Sequence, residues 1–141
     1  MTNTEQHTIQ VKCDLSSLKE IRAFIDERLS LMINDKERNL IVLAVDEVCA
    51  NLIIHSNEGN AEAVLKISLK IENSPDGILF EIYDTGKYFN YEEYEEPHFE
   101  EVVREQRKGS IGLILVRRIM DKVEFSHSET YNICRLFKKM D

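Results

Sequence analysis

Hydrophobic and polar residues along this chain follow two different periods. Residues 6–13 alternate between apolar and polar positions, which is typical of a strand with one buried face. Similar segments at residues 63–72 and 77–84 are joined by the turn sequence Asn-Ser-Pro-Asp-Gly and predict a β-hairpin. Shorter strands are predicted at residues 122–127 and 131–138. The intervening segments have helical spacing, so the predicted order is strand, two helices, hairpin, helix and a closing hairpin.

The predicted helices differ in how much of their surface is apolar. The first follows Asp14 or Ser16, either of which can cap it, and has one apolar stripe. This stripe consists of Leu18, Ile21, Ile25, Leu29 and Met32. Its charged face is consistent with either a solvated surface or a partner-docking surface. The second helix, over residues 36–55, is apolar most of the way round and is therefore expected to be buried.

These elements predict an α+β two-layer sandwich, with one mixed, mostly antiparallel sheet and helices packed on one face. The third helix follows a polar stretch over residues 90–108, which is expected to form a surface loop or short lid. The chain shows no internal repeat and no linker of distinct composition. We therefore expect residues 1–141 to form a single domain.

Composition narrows the range of functions. The chain has 141 residues, of which 43% are hydrophobic and 31% charged, so a folded domain is expected rather than disorder. Its net charge of −8 argues against broad electrostatic binding of nucleic acid or an anionic membrane. The sequence contains no signal peptide pattern and no apolar stretch long enough to span a bilayer, which predicts a cytoplasmic protein. Three widely spaced cysteines in apolar surroundings predict buried thiols rather than a metal site.

A polar stripe interrupts the apolar second helix. Glu47, Asn51 and His55 are four residues apart, which places them on one face of an α-helix. A buried acid and amide cost several kcal/mol of desolvation unless something pairs with them. They can bind neighbouring backbone, or they can face a cavity that holds a charged ligand and its metal ion. The stripe alone leaves both interpretations open.

Two motifs later in the sequence favour the interpretation in which the polar stripe faces a bound ligand. The second hairpin strand runs into Asp84-x-Gly86-x-x-Phe89, and Gly109-Ser-Ile-Gly112-Leu opens the third helix. Each motif is weak alone, because an acid before glycine is often a turn and Gly-x-x-Gly is often a tight helix entry. In this order and combination, however, the motifs resemble the Bergerat-type ATP-binding fold of gyrase B, Hsp90 chaperones, sensor histidine kinases and MutL.

Within that superfamily, the chain resembles the small anti-sigma-factor serine kinases over nearly its whole length. The resemblance implies ATP and Mg²⁺ as cofactors. It implies Asn51 as the magnesium ligand, consistent with the preference of Mg²⁺ for oxygen donors. It also implies that Glu47 is the base that deprotonates an incoming hydroxyl.

The remaining site residues carried over from the resemblance contact the nucleotide. Asp84 would accept a hydrogen bond from the adenine amine, and Gly86 would let the base approach the backbone. The segment Gly109, Ser110, Ile111 and Gly112 would present backbone N–H groups to the phosphates. Lys87 is a further candidate phosphate contact, as are Arg107 and Lys108. The family places a threonine near the adenine, and here Thr130 and Asn132 both compete for that place, while His55 is assigned to the fold.

The resemblance implies partner switching: the protein would sequester a sigma factor and phosphorylate a serine of a STAS-type anti-anti-sigma protein. It also implies a homodimer, expected to form through the first helix and an exposed sheet edge. The alternative is a non-catalytic nucleotide-sensing module that regulates a protein partner. A histidine kinase ATP-binding half is disfavoured, since no phosphoacceptor helix precedes the predicted domain.

Overall fold

The helices and strands lie close to the positions that the sequence predicts. The computed structural model describes residues 5–56, 63–73, 76–84, 110–127 and 131–140. Within these ranges the strands are β1 (Glu5–Lys12), β2 (Val64–Asn73), β3 (Asp76–Asp84), β4 (Lys122–His127) and β5 (Asn132–Lys139). The α-helices are α1 (Leu18–Leu29), α2 (Asp35–Asn51) and α3 (Ser110–Ile119). A 3-10 turn, Leu15–Ser17, precedes α1, and a π-helical turn, Leu52–Ser56, follows α2.

The strands form one sheet in the order β1-β2-β3-β5-β4. All four pairings between these strands are antiparallel. Strands β1 and β2 are neighbours even though α1 and α2 separate them in the chain. The predicted α+β sandwich with a mostly antiparallel sheet is thus confirmed, and no parallel pairing occurs among the described strands.

One face of the sheet carries the core. The register places Ile67 beside Ile82 and Leu69 beside Phe80, and the next strand adds Leu136 beside Phe80. All five side chains have 0% exposure. They form one hydrophobic cluster with the apolar faces of the three helices. Because side chains alternate between the faces of a strand, this register also fixes which polar residues face the helices.

Local contacts explain where α2 begins and how it is fixed to α1. The Asn34 side chain accepts a hydrogen bond from the backbone N–H of Glu37 at 2.8 Å, which satisfies one of the free amides of the first turn. Arg38 then pairs with Asp26 of α1 at 2.7 Å. The predicted apolar stripe of α1 is buried through Leu29, but Met32 is 37% exposed because the helix has already ended.

The opposite face of the sheet is polar and contains a buried carboxylate. Glu81 is 5% exposed, and its two carboxylate oxygens lie 2.5 Å from Lys70 Nζ and 3.0 Å from Arg135 Nε. Nearby, the Phe137 ring lies over Gly77, where an added Cβ would be 2.3 Å from the ring. This face therefore contains a buried ion-pair cluster and a close contact between an aromatic ring and a glycine.

Among the described residues, every helix is too short or too polar to span a lipid bilayer.

Candidate functional site

Asp84 ends β3 on the face of the sheet that carries the helices. It lies opposite Leu65 of β2 and Asn132 of β5, and its side chain has 0% exposure. The Asn132 side-chain amide donates a hydrogen bond to Asp84 Oδ2 at 3.3 Å. A buried carboxylate at a strand end, held by an amide donor, can accept a further hydrogen bond from a ligand amine. The adenine contact of Asp84 stays a prediction.

Asn132, one of the two residues predicted to compete for the place near the adenine, is paired with Asp84. Thr130 lies outside the described residues, whereas Asn132 is the first residue of β5 and contacts Asp84 directly. Only the register of β3 against β5 brings these two residues together, because 48 positions separate them in the chain. Which of Thr130 and Asn132 contacts the adenine stays a prediction.

Asn51 and Glu47 occupy α2 one helical turn apart. Asn51 is the last α-helical residue and is 7% exposed, and its side chain makes no hydrogen bond to another described residue. Glu47 is half-buried. Burial disfavours the charged carboxylate and, together with the nearby charge of Asp46, raises the pKa of Glu47. A raised pKa makes the carboxylate a stronger base, which suits proton abstraction.

The helix changes its pitch immediately after Asn51. The backbone N–H of Leu52 bonds to the carbonyls of both Val48 and Cys49, and residues 52–56 form a π-helical turn. Such wider turns are frequent at functional sites. The predicted stripe of three polar residues assumed one continuous α-helix through residue 55. That assumption is wrong, because His55 lies in the π-helical turn, and its side chain is outside the described residues.

Helix α3 begins at Ser110 and packs against α2. The first backbone amides of a helix have no partner within it, and they favour anionic ligands. Ile111 and Gly112 belong to this first turn, as predicted, although the side chains of Ser110 and Ile111 are not described. The helix whose N-terminus was predicted to bind phosphate is therefore a neighbour of the helix that carries Asn51.

The other predicted contacts fall outside the described residues and stay predictions. These are Gly86, Lys87, Phe89, Arg107, Lys108 and Gly109.

The cysteines lie in or against the hydrophobic core. All three are free thiols; Cys49 and Cys134 are buried and Cys13 is half-buried. Burial, reinforced by the charge of Asp84, raises the pKa of Cys13 to about 12. Burial also raises the pKa of Cys49 and of Cys134. Thiols with such pKa values are poor nucleophiles, so the cysteines act as packing residues. Among the described residues, no three His, Cys, Asp or Glu side chains cluster as a metal site.

Comparison with known proteins defines the class. The family described as the histidine kinase-like ATPase domain matches residues 11–138, which is most of the chain. The chain therefore belongs to the histidine kinase-like ATPase domain family.

Several relatives in sequence share a narrower name. Proteins named anti-sigma F factor from Bacillus thuringiensis (strain Al Hakam), Bacillus mycoides (strain KBAB4) and Bacillus cereus (strain AH187) are each 34% identical over 97 residues. The aligned part is 68% of this chain and 64% of each relative, just under two thirds. The resemblance predicted from the sequence is thus confirmed.

Two solved structures share the fold. The first contains the RsbU and RsbW domains of Rv1364c from Mycobacterium tuberculosis. The alignment covers 96% of this chain and 32% of the solved chain, with a TM-score of 0.64. The second is the histidine kinase domain of the Erythrobacter litoralis EL346 blue-light activated histidine kinase. The alignment covers 92% of this chain and 61% of the solved chain, with a TM-score of 0.58. Each is 15% identical to this chain, so each likeness concerns the fold alone.

Proposed function

We propose that this chain is an ATP-dependent protein serine kinase and anti-sigma factor. It would sequester a sigma factor and phosphorylate a serine of a STAS-type anti-anti-sigma protein. The observation that carries the proposal is the pair on α2: Glu47, half-buried with a raised pKa, lies one turn before the buried Asn51. The relatives named anti-sigma F factor support the choice of partners. A homodimer and a cytoplasmic location belong to the same proposal, as does a single domain over residues 1–141.

The residues present fit a magnesium ion. Asn51 offers an amide oxygen, which is the kind of hard ligand that Mg²⁺ prefers. Its side chain is 7% exposed and has no hydrogen-bond partner among the described residues, so the oxygen is available to a ligand. When bound, Mg²⁺ would neutralise charge on the phosphates of ATP. Asn51 would hold the ion, together with phosphate oxygens and water.

The chain's own groups supply recognition and proton transfer. Asp84 would accept a hydrogen bond from the adenine amine while Asn132 holds its carboxylate in place. The first amides of α3 would bind phosphate oxygens. Glu47 would accept the proton of the incoming serine hydroxyl as that oxygen attacks the γ-phosphate and ADP leaves. Half-burial raises the affinity of this carboxylate for the proton.

The test is serine phosphorylation by the purified chain. The chain is mixed with ATP, Mg²⁺ and a purified STAS-type protein from the same genome, and phosphoserine is measured by mass spectrometry. Glu47→Ala should keep ATP affinity and lower the phosphotransfer rate by roughly 10²–10⁴-fold, the range for loss of a general base. Asn51→Ala should weaken both ATP binding and transfer. Glu20→Ala removes an exposed carboxylate of α1 and serves as the matched control.

The outcomes separate the alternatives. A Glu47→Ala variant as active as the wild type would show that the base is another group. A wild-type chain that binds ATP but transfers no phosphate would remove the kinase function. If its affinity for a partner then changes between ADP and ATP, the non-catalytic nucleotide-sensing module becomes the better description.

A further inference from the structure

Glu47 shares its face of α2 with two exposed leucines. Positions four and seven residues earlier lie on the same face of a helix, and these positions are Leu43 and Leu40. Leu43 is 40% exposed and Leu40 is 36% exposed, whereas Ile41 and Ala44 of the same turns are at most 1% exposed. The face of α2 that leads to the candidate base is therefore apolar and open to solvent.

The other sides of α2 already have partners. Ile41, Ala44 and Val45 belong to the core cluster. On the side towards α1, Asp46 accepts a hydrogen bond from Arg22 at 2.8 Å. On another side α2 packs against α3. The leucines thus lie on the side of α2 that the described neighbours do not cover. Leu40 and Leu43 together form the leucine face.

The chemistry of the candidate base determines what must cover this face. A hydroxyl that gives its proton to Glu47 has to come within about 3 Å of the carboxylate. A serine side chain is one carbon long, so the polypeptide that carries it has to pass close to Glu47 as well. One helical turn advances by only about 5.4 Å, so such a polypeptide also contacts the residue one turn earlier, which is Leu43.

We propose that the leucine face is the docking surface for the protein that carries the acceptor serine. An apolar side chain of that protein, next to its serine, packs against Leu40 and Leu43 while the hydroxyl reaches Glu47. This inference rests on the proposed kinase function and deepens it, because it assigns the contacts that select the protein substrate. Isolated exposed leucines are common on proteins, and what distinguishes this pair is its alignment with the base.

The test measures binding of the acceptor separately from catalysis. The probe is a purified STAS-type protein from the same genome, titrated into the chain in the presence of a non-hydrolysable ATP analogue. Leu43→Ser and the double variant Leu40→Ser/Leu43→Ser remove the apolar surface without adding charge beside Glu47. The matched control is Leu31→Ser, the same change at a leucine that is 98% exposed and lies before α2.

We expect Leu43→Ser to raise the dissociation constant of the complex by about tenfold and the double variant by more, since each buried leucine adds apolar contact. Leu31→Ser should change it less than twofold. ATP affinity and the urea midpoint should stay at the wild-type values in every variant. The value of kcat/KM for serine phosphorylation should fall in parallel with the binding.

Three results would overturn the inference. The first is no binding of the STAS-type protein to the wild-type chain, and the second is a double variant that binds it as tightly as the wild type. The third is a double variant that loses ATP affinity or stability to the same extent as it loses binding of the STAS-type protein. The last result would mean that the leucines are covered by the chain itself. Failure of the kinase proposal has a different signature, because the wild-type chain would then bind the probe through the leucine face and transfer no phosphate.

Discussion

Replacing Glu81 by glutamine tests how the sheet is stabilised on the face away from the candidate site. The substitution keeps the shape of the side chain and removes its charge. Glu81 is 5% exposed and pairs with Lys70 and Arg135 at 2.5 and 3.0 Å. A hydrogen bond to a charged group contributes about 1.5–3 kcal/mol. The side chains of Lys70 and Arg135 are 29% and 37% exposed, so both can regain water when the carboxylate is lost.

We therefore expect Glu81→Gln to lower the free energy of unfolding by about 2 kcal/mol at pH 7, well below the sum of two full interactions. The assay is urea unfolding followed by circular dichroism. The control is Glu124→Gln, because Glu124 pairs with Lys122 at 3.0 Å but its side chain is 48% exposed. Pairs between exposed side chains contribute about 0–1 kcal/mol, so the control should stay within that range.

The stability difference between the wild type and Glu81→Gln should depend on pH. Burial by itself would raise the pKa of Glu81, but hydrogen bonds from Lys70 and Arg135 outweigh burial and lower it. A carboxylate whose pKa is lower in the folded protein stabilises the fold above its unfolded pKa of about 4.3. That contribution is lost as the pH falls through the folded pKa. The difference between wild type and Glu81→Gln should thus be full at pH 7 and shrink below about pH 4.

Two outcomes would refute this reasoning. One is a Glu81→Gln variant as stable as the Glu124→Gln control at pH 7. The other is a stability difference that persists unchanged at acidic pH. Glu81 lies on the opposite face of β3 from Asp84, so ATP affinity should be unaffected at pH 7.

Two further substitutions test the sheet and the candidate site. Gly77→Ala should destabilise the fold by about 1–3 kcal/mol, as overpacking does, because the added Cβ would lie 2.3 Å from the Phe137 ring and 2.9 Å from the Lys138 carbonyl. Urea unfolding measures this, and a neutral result would mean that the ring moves aside freely. Asp84→Ala should weaken ATP binding by roughly tenfold or more, since it removes the carboxylate that would accept the hydrogen bond from the adenine amine. Calorimetric titration with ATP measures this effect, and Asn132→Ala, the comparison variant, is expected to lose less ATP affinity. Unchanged affinity in the Asp84 variant would exclude Asp84 as the adenine contact.

Periodicity and turn chemistry were sufficient to predict most local structure. The alternation in β2 and β3 predicted a hairpin because only one face of each strand is buried. Glycine and asparagine marked element boundaries for local reasons: Asn34 caps α2 through its own side chain. The motif residues Glu47, Asn51 and Asp84 were also identifiable, because an acid or amide in apolar surroundings stands out in the sequence.

The sequence failed where structure depends on distant contacts. Helical periodicity extended the polar stripe to His55, although the backbone widens into a π-helical turn after Asn51. Periodicity also assigned Met32 to the buried stripe, although α1 ends at Leu29. Both breaks are changes of backbone geometry, which the spacing of apolar and polar residues does not encode.

The sequence by itself determined the order of elements, the apolar faces and the polar residues that stand out within them, since these depend on neighbours a few positions apart. Only the tertiary structure decided that Asn132 holds Asp84, that Glu81 is buried between two cations, and that Leu40 and Leu43 stay exposed beside Glu47. Each of these depends on strand register or on which side of a helix its neighbours cover. Such relations join residues far apart in the chain, and no local pattern encodes them.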